Sequence, residues 1–287
     1  MKRFLFLSLF LCLTLVHSVE SRGAGYPNGE VTEDIRKAMY QGGEKLKYKI
    51  SWTGGIKIGE LRMEVTRVAG KENVFELRAR VKDSGIFHFF YPVDDSFVTL
   101  VEGDNRLPSS YEVIQKEGEN YTARRHTEYD QHDGKVRYQK NEKTPELYSI
   151  DGTVHNEFSS FFFTRMMRLE ADYPAIVSTF VDGARHEVVV RTGTETRIRK
   201  TVRGDVNVVP FTPIMKFKGL YEKDGATVIW LTNDKCRIPV RINSKILIGS
   251  LTAELVSYSN PYCGDQSAYH KNIPDSLIKE QELELGD

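Results

Sequence analysis

The strongest constraint in this 287-residue chain is a period of two. Leu46, Tyr48, Ile50 and Trp52 alternate with Lys45, Lys47, Lys49 and Ser51, and Phe75, Leu77, Ala79 and Val81 alternate with Glu76, Arg78, Arg80 and Lys82. Neighbouring strand side chains point to opposite faces, so these segments predict antiparallel strands with one dry and one wet face. Further strands are expected near Ser96–Glu102, Ser110–Lys116, Tyr121–Asp130, Lys135–Lys140, Arg185–Thr192 and Glu195–Arg203, then Met215–Tyr221, Ala226–Thr232, Arg237–Lys245 and Ser250–Tyr258. Asp133-Gly134, Asp182-Gly183 and Asp224-Gly225 supply tight turns of the kind a meander requires.

One motif occurs twice, as KIGELRMEV over Lys57–Val65 and as LIGSLTAEL over Leu247–Leu255. The apolar positions change parity at Gly59 and again at Gly249. A β-bulge at each glycine, with positive φ, would keep both flanks facing one core and would bend the strand. Two such bends predict a mainly β protein: a single curled antiparallel sheet, half-barrel or barrel, wrapped around a filler. The filler is expected to be an apolar helix over Glu157–Leu169, packed against the concave side. Asn156 would be its N-cap, with Phe158, Phe161, Phe162, Met166 and Leu169 on one stripe.

The ends read differently. Met1-Lys2-Arg3 followed by an apolar run from Phe4 to Val16 has the form of a secretory signal, taken as residues 1–18, and too short to span a bilayer. Cys12 lacks the small preceding residue of a lipidation site. An N-terminal extension over 19–41 with a short helix over Asp34–Tyr40 precedes a β domain over 42–259. A strap and acidic tail over 260–287 follow. No later segment is apolar enough to cross a membrane, so a periplasmic location is expected, with secretion the less favoured alternative. The chain has 40 Lys and Arg against 40 Asp and Glu, and removal of Lys2 and Arg3 with the signal leaves 38 against 40. That balance disfavours nucleic acid and anionic lipid surfaces as main partners.

In an oxidising compartment Cys236 and Cys263 are disulfide candidates. A hairpin turning near Leu247 pairs residues whose numbers add to about 495, which puts Cys236 opposite Ser259, close to Cys263. Chemistry-bearing motifs are sparse. His126, Glu128, Asp130 and His132 share one strand face, but residues two apart on a strand lie about 6.5–7 Å from each other and do not converge on one metal. Asp94 and Asp95 point to opposite faces and cannot share a proton. There is no nucleophile elbow and no glycine-rich phosphate loop, and neither a catalytic residue nor a cofactor is expected.

GEKLKYKISWTGGIKIGELRMEV over Gly43–Val65, YPVDDSF over Tyr91–Phe97, and VIWLTNDKCRIPVRINSKILIGSLTAELVSY over Val228–Tyr258 together resemble the DUF3108 family of exported bacterial proteins. The resemblance implies a mostly β, exported protein and lends no catalytic residue. Cys236 departs from the basic or polar residue common at that place in the family.

Three functions remain open. The first is a non-enzymatic envelope protein holding a lipid-like ligand in the concavity, with Trp52, Phe158, Phe162, Met166 and Trp230 as its lining. The second is an interaction or assembly module with a packed core and an envelope protein as partner. The third is a hydrolase of envelope polymers. An apolar cavity of about 300 Å³ or more beside Trp52 and Phe162 would favour the first, and a filled interior the second.

Overall fold

The computed structural model describes residues 30–89, 91–168, 174–214, 227–246 and 249–267. The expected signal segment, the strand at Met215–Tyr221, Leu169, Leu247 and the acidic tail lie outside them. The expected alternation produces β1 (Glu44–Trp52), β2 (Ile56–Arg67), β3 (Val74–Asp83), β4 (Asp94–Glu102), β5 (Leu107–Glu117), β6 (Tyr121–Asp130), β7 (Lys135–Lys140) and β8 (Glu146–Ser149). The second half contributes β9 (Ala175–Val181), β10 (Ala184–Thr192), β11 (Thr196–Thr201), β12 (Gly204–Ile214), β13 (Thr227–Thr232), β14 (Pro239–Lys245), β15 (Ser250–Ser259) and β16 (Gln266–Ser267).

All of these join one antiparallel sheet, in the order β8-β7-β6-β5-β4-β3-β2-β1-β15-β14-β13-β12-β10-β9, with β11 on β12 and β16 on β15. The ladder is not closed. Its two edges, β8 and β9, meet instead through side chains and one bridge. Phe180 of β9 is edge-on to Tyr129, Tyr138 and Tyr148. His155 donates its N–H to Ser178 O and accepts from Phe180 N–H, both at 2.8 Å. Covering β9 in this way removes an unpaired edge that would otherwise template association.

The curl has bulges as its cause, though not all where the motif puts them. In β2 the pairing with β1 skips Ile58, between Ile50↔Gly59 and Ser51↔Lys57. Gly59 therefore lies at a bulge, but without positive φ. Its absent side chain answers a different demand, since a Cβ there would stand 2.5 Å from Lys82 O of β3. Gly249 is the converse: its φ is +84°, but it belongs to the β14–β15 turn, where Ile246 N–H donates to Gly249 O, and not to a bulge. The turn makes the parity change there. The bulge of β15 falls instead at Val256, skipped between Lys47↔Ser257 and Tyr48↔Leu255.

Helix α2 (Glu157–Met166) starts where expected, because Asn156 caps it: Asn156 Oδ1 accepts from Phe158 and Ser159 N–H, and Ser159 Oγ accepts from Asn156 N–H. It ends short of the expected Leu169, because Met167 is extended and bridges Val31. Helix α1 (Glu33–Met39) is more than an extension. Ile35, Ala38, Met39 and the following Tyr40 are buried, and Ile35, Met39 and Tyr40 pack in the same core as Leu46, Phe75 and Phe162. Thr32 N–H donates to Met166 O, which ties the two helices together at one end of the barrel, the base.

Candidate functional site

The base is the most tightly specified part of the molecule. Glu44 shares the inward parity of Leu46 and Tyr48 on β1, and Arg165 lies on α2 between Phe162 and Met166. Both side chains are fully buried, and they form a two-pronged ion pair at 2.9 and 2.8 Å. Tyr258 donates its hydroxyl to Glu44 and Arg165 Nε donates to Arg237 O. Burial opposes the charge on Arg165, but attraction to Glu44 outweighs it and raises the guanidinium pKa. Every prong is used within the chain, so the pair is a lock and not a binding group.

Of the residues expected to line a ligand, Phe162 and Met166 are 0 % exposed, leaving no water-sized space beside them. Phe158 is half-buried, its ring 5.3 Å from that of Phe162 and 6.4 Å from that of Phe97. Trp52 stands at the far end of β1, close to Gly249. Trp230 pairs with Pro210 and Arg241 and takes the opposite face of β13 from the core residues Ile229 and Leu231. Phe158 and Trp230 are both half-buried against the core group that holds Phe162 and Met166, while Trp52 lies at the other end of β1. Further from the base, Ile50 and Ile242 are half-buried.

A polar group that sequence reading missed lies between α2 and β6. Arg125 is 8 % exposed, bonded to Gln115 Oε1 at 2.9 Å and to Asp182 at 3.2 Å, and Tyr138 donates to Asp182 at 3.1 Å. Burial raises the pKa of neighbouring Glu157. The space among Tyr111, Arg125, Tyr129 and Glu157 is about 10 Å³, at the limit for a single water and too small for a substrate. His155 is pushed down to about 3 by burial and is stacked on Phe163 at 4.3 Å.

Elsewhere, Cys236 and Cys263 are bonded, with Cα atoms 6.1 Å apart, and β14 and β15 pair in the expected register, Arg241↔Glu254 through Lys245↔Ser250. Asp94 pairs with Arg80 outside while Asp95 is buried. Among the described residues no three His, Cys, Asp or Glu are placed to hold a metal; His126 meets Glu128 at 3.5 Å. No helix among them is long and apolar enough to cross a membrane.

The end opposite the base, the mouth, carries the exposed apolar surface. Its rim is built from hairpin tips: Ile56 is 51 % exposed, Phe89 84 %, Tyr91 53 %, Tyr121 50 % and Ile246 38 %. The tips are contiguous. Ser250 N–H donates to Thr53 Oγ1 at 2.8 Å, Ser84 N–H to Ile58 O at 2.9 Å, and Tyr91 OH to Glu117 at 3.1 Å. Among the described residues only Leu147 and Tyr262 are large exposed apolar side chains elsewhere. The signal for this rim was in the sequence, in GIFHFFY over Gly85–Tyr91.

The fold is similar to that of a crystal structure described as a beta-barrel-like protein, a domain of unknown function DUF1849, from Brucella abortus. The TM-score is 0.53 at 12 % identity, over 77 % of this chain and 98 % of that one. No curated protein matches the sequence. A family model described as a protein of unknown function matches residues 47–256, and the chain thus belongs to the DUF3108 family.

Proposed function

We propose that this is a non-enzymatic cell-envelope protein that works by contact and not by enclosure, an interaction module whose rim of hairpin tips meets an envelope protein. The single observation behind this choice is the contrast in exposure along the barrel: Phe162 and Met166 at 0 %, Phe89 at 84 %. A carrier would reverse it, keeping the concavity free and the rim polar. The disulfide supports an oxidising compartment, in keeping with the expected export. The tips carry both signs, Glu117 and the exposed Glu119 beside the exposed Lys57, Lys116 and Lys245, a mixed charge that suits a protein contact better than the uniformly basic face an anionic bilayer selects. Tyrosines and aliphatic side chains edged by charge have the composition of protein interfaces.

The test is cross-linking in intact cells of wild type and of a rim variant, Ile56→Ser with Phe89→Ser and Ile246→Ser. A discrete adduct with a second polypeptide is expected from wild type, is lost in the rim variant, and persists in Tyr262→Ser at the other end. Persistence in the rim variant overturns the assignment. So does co-flotation of wild type with phospholipid vesicles and no polypeptide adduct, which would make the rim a membrane contact.

A further inference from the structure

The bulges that curl the sheet also open it at one place. β14 and β15 pair only from Arg241↔Glu254 to Lys245↔Ser250. Immediately beyond, Val240 is skipped in the pairing with β13 and Val256 in the pairing with β1, so the two strands separate at the same level. Strand β11, which pairs with β12, lies across the gap and leaves a crevice of about 300 Å³. That is the lower end of the range for small-molecule sites, about 300–1,000 Å³. At about 30 Å³ for a water-sized group it holds roughly ten heavy atoms.

Two kinds of side chain line it. The floor is apolar, from Ile198 and Val202 on the β11 side and Val240, Leu255 and Val256 on the other. Lys49, Arg199, Lys200 and Arg241 stand around it with a single carboxylate, Glu254. Two of the cations share that carboxylate, Arg241 at 3.0 Å and Lys49 at 3.6 Å. Asp205, outside the lining, accepts the Lys200 backbone N–H and pairs with Arg197. The lining is thus left with excess positive charge over an apolar floor. Arg203, next after Val202 but not part of the lining, has a buried Nη1 with no hydrogen-bond partner among the described residues.

We propose that this crevice binds a single-chain anionic amphiphile, with a phosphate or carboxylate head among the cations and a short alkyl chain on the apolar floor. The site lies on the β11 side of the sheet, apart from the rim, and stands or falls independently of the protein contact proposed there. Charge-assisted hydrogen bonds from guanidinium and ammonium groups select the head, and the floor rewards the chain. Glu254 moves from sharing two cations with the empty site to competing with the ligand for them, so its removal strengthens binding.

The experiment is calorimetric titration of the oxidised protein with octyl phosphate below its micelle-forming concentration. Saturable one-site binding is expected, with none for inorganic phosphate or octyltrimethylammonium over the same range. Lys49→Gln with Arg241→Gln should weaken binding roughly tenfold or more, as the loss of charged donors requires, and Glu254→Gln should strengthen it. Arg199→Ala, on the surface, should weaken it severalfold without touching the fold and serves as the check if the double variant melts early. Phe89→Ser should bind as wild type. No saturable binding by wild type, equal binding of the cationic chain, unchanged affinity in both cation variants, or loss of binding in Phe89→Ser would each overturn the proposal.

Discussion

The base and the mouth of this barrel are built from the same alternating strands and end in opposite states. At the base the inward row runs through Glu44, Leu46 and Tyr48 and is sealed by α1 and α2, with the one charged pair satisfied on every side. Toward the mouth the inward residue Ile50 is half-buried, and the tips beyond it carry Ile56 and Phe89 in solvent. Alternation alone thus makes a strand and a face; whether that face becomes core depends on what covers it. Exposed apolar tips do nothing for stability, and a buried ion pair is weak as a source of stability but costly to break. Folding thus rests on the base, and the mouth is left free for the contact proposed above.

The largest effects are expected at the base. Arg165→Met should cost about 3–5 kcal/mol in urea denaturation, because Glu44 would be left buried and unpaired; Glu44→Gln added to it should return part of the loss, and a cost near zero would remove the lock. Phe162→Ala, measured by the same denaturation, should cost a similar ~3–5 kcal/mol by leaving a cavity. Its organic extract should not differ from wild type, whereas a ligand site at α2 would give a small loss and an altered extract. Reduction of Cys236–Cys263, which spans 27 residues and straps the tail to the base, should lower stability by about 3–4 kcal/mol from loop closure. Comparison of melts with and without reductant reads it directly.

Smaller effects sharpen the contrast. Asp95 faces inward toward the mouth half, and burial pushes its pKa from the ordinary 3.8 to about 6. A raised carboxylate pKa favours the folded state below pH 3.8, and that contribution is lost as pH rises through about 6. Asp95→Asn should therefore stabilise by about 1 kcal/mol at pH 8, after allowance for partial solvation, and by nothing at pH 3.5; a destabilisation at pH 8 contradicts the sign. Phe89→Ser, at the rim, should shift the denaturation midpoint least, within ~0.5 kcal/mol.

The legible parts of the fold are those with local causes. The β14–β15 register followed from where the turn had to fall, the disulfide from that register, and α2 from Asn156 ahead of an apolar run. The illegible parts have distant causes. Pro210 and Pro213 hid β12, yet its pairing passes from β13 over Val208–Phe211 to β10 over Phe211–Ile214, so each proline has a one-sided place. β8 is four residues long and β9 reads as an apolar run without alternation, a pattern strands share with buried helices. Glu44 lay on the inward parity of β1, but only the partner 121 residues away makes a charge tolerable there. Gly59 and Gly249 show the same limit: one motif, two different demands, one from a neighbouring carbonyl and one from a turn.

If the mouth makes contact and the interior does not, a photoreactive amino acid placed singly at Phe89 and at Phe162 will report different neighbours. Irradiation in intact cells should join position 89 to another polypeptide, while position 162 yields only bonds within the chain. An acyl chain captured at position 162, with no polypeptide captured at position 89, would contradict it.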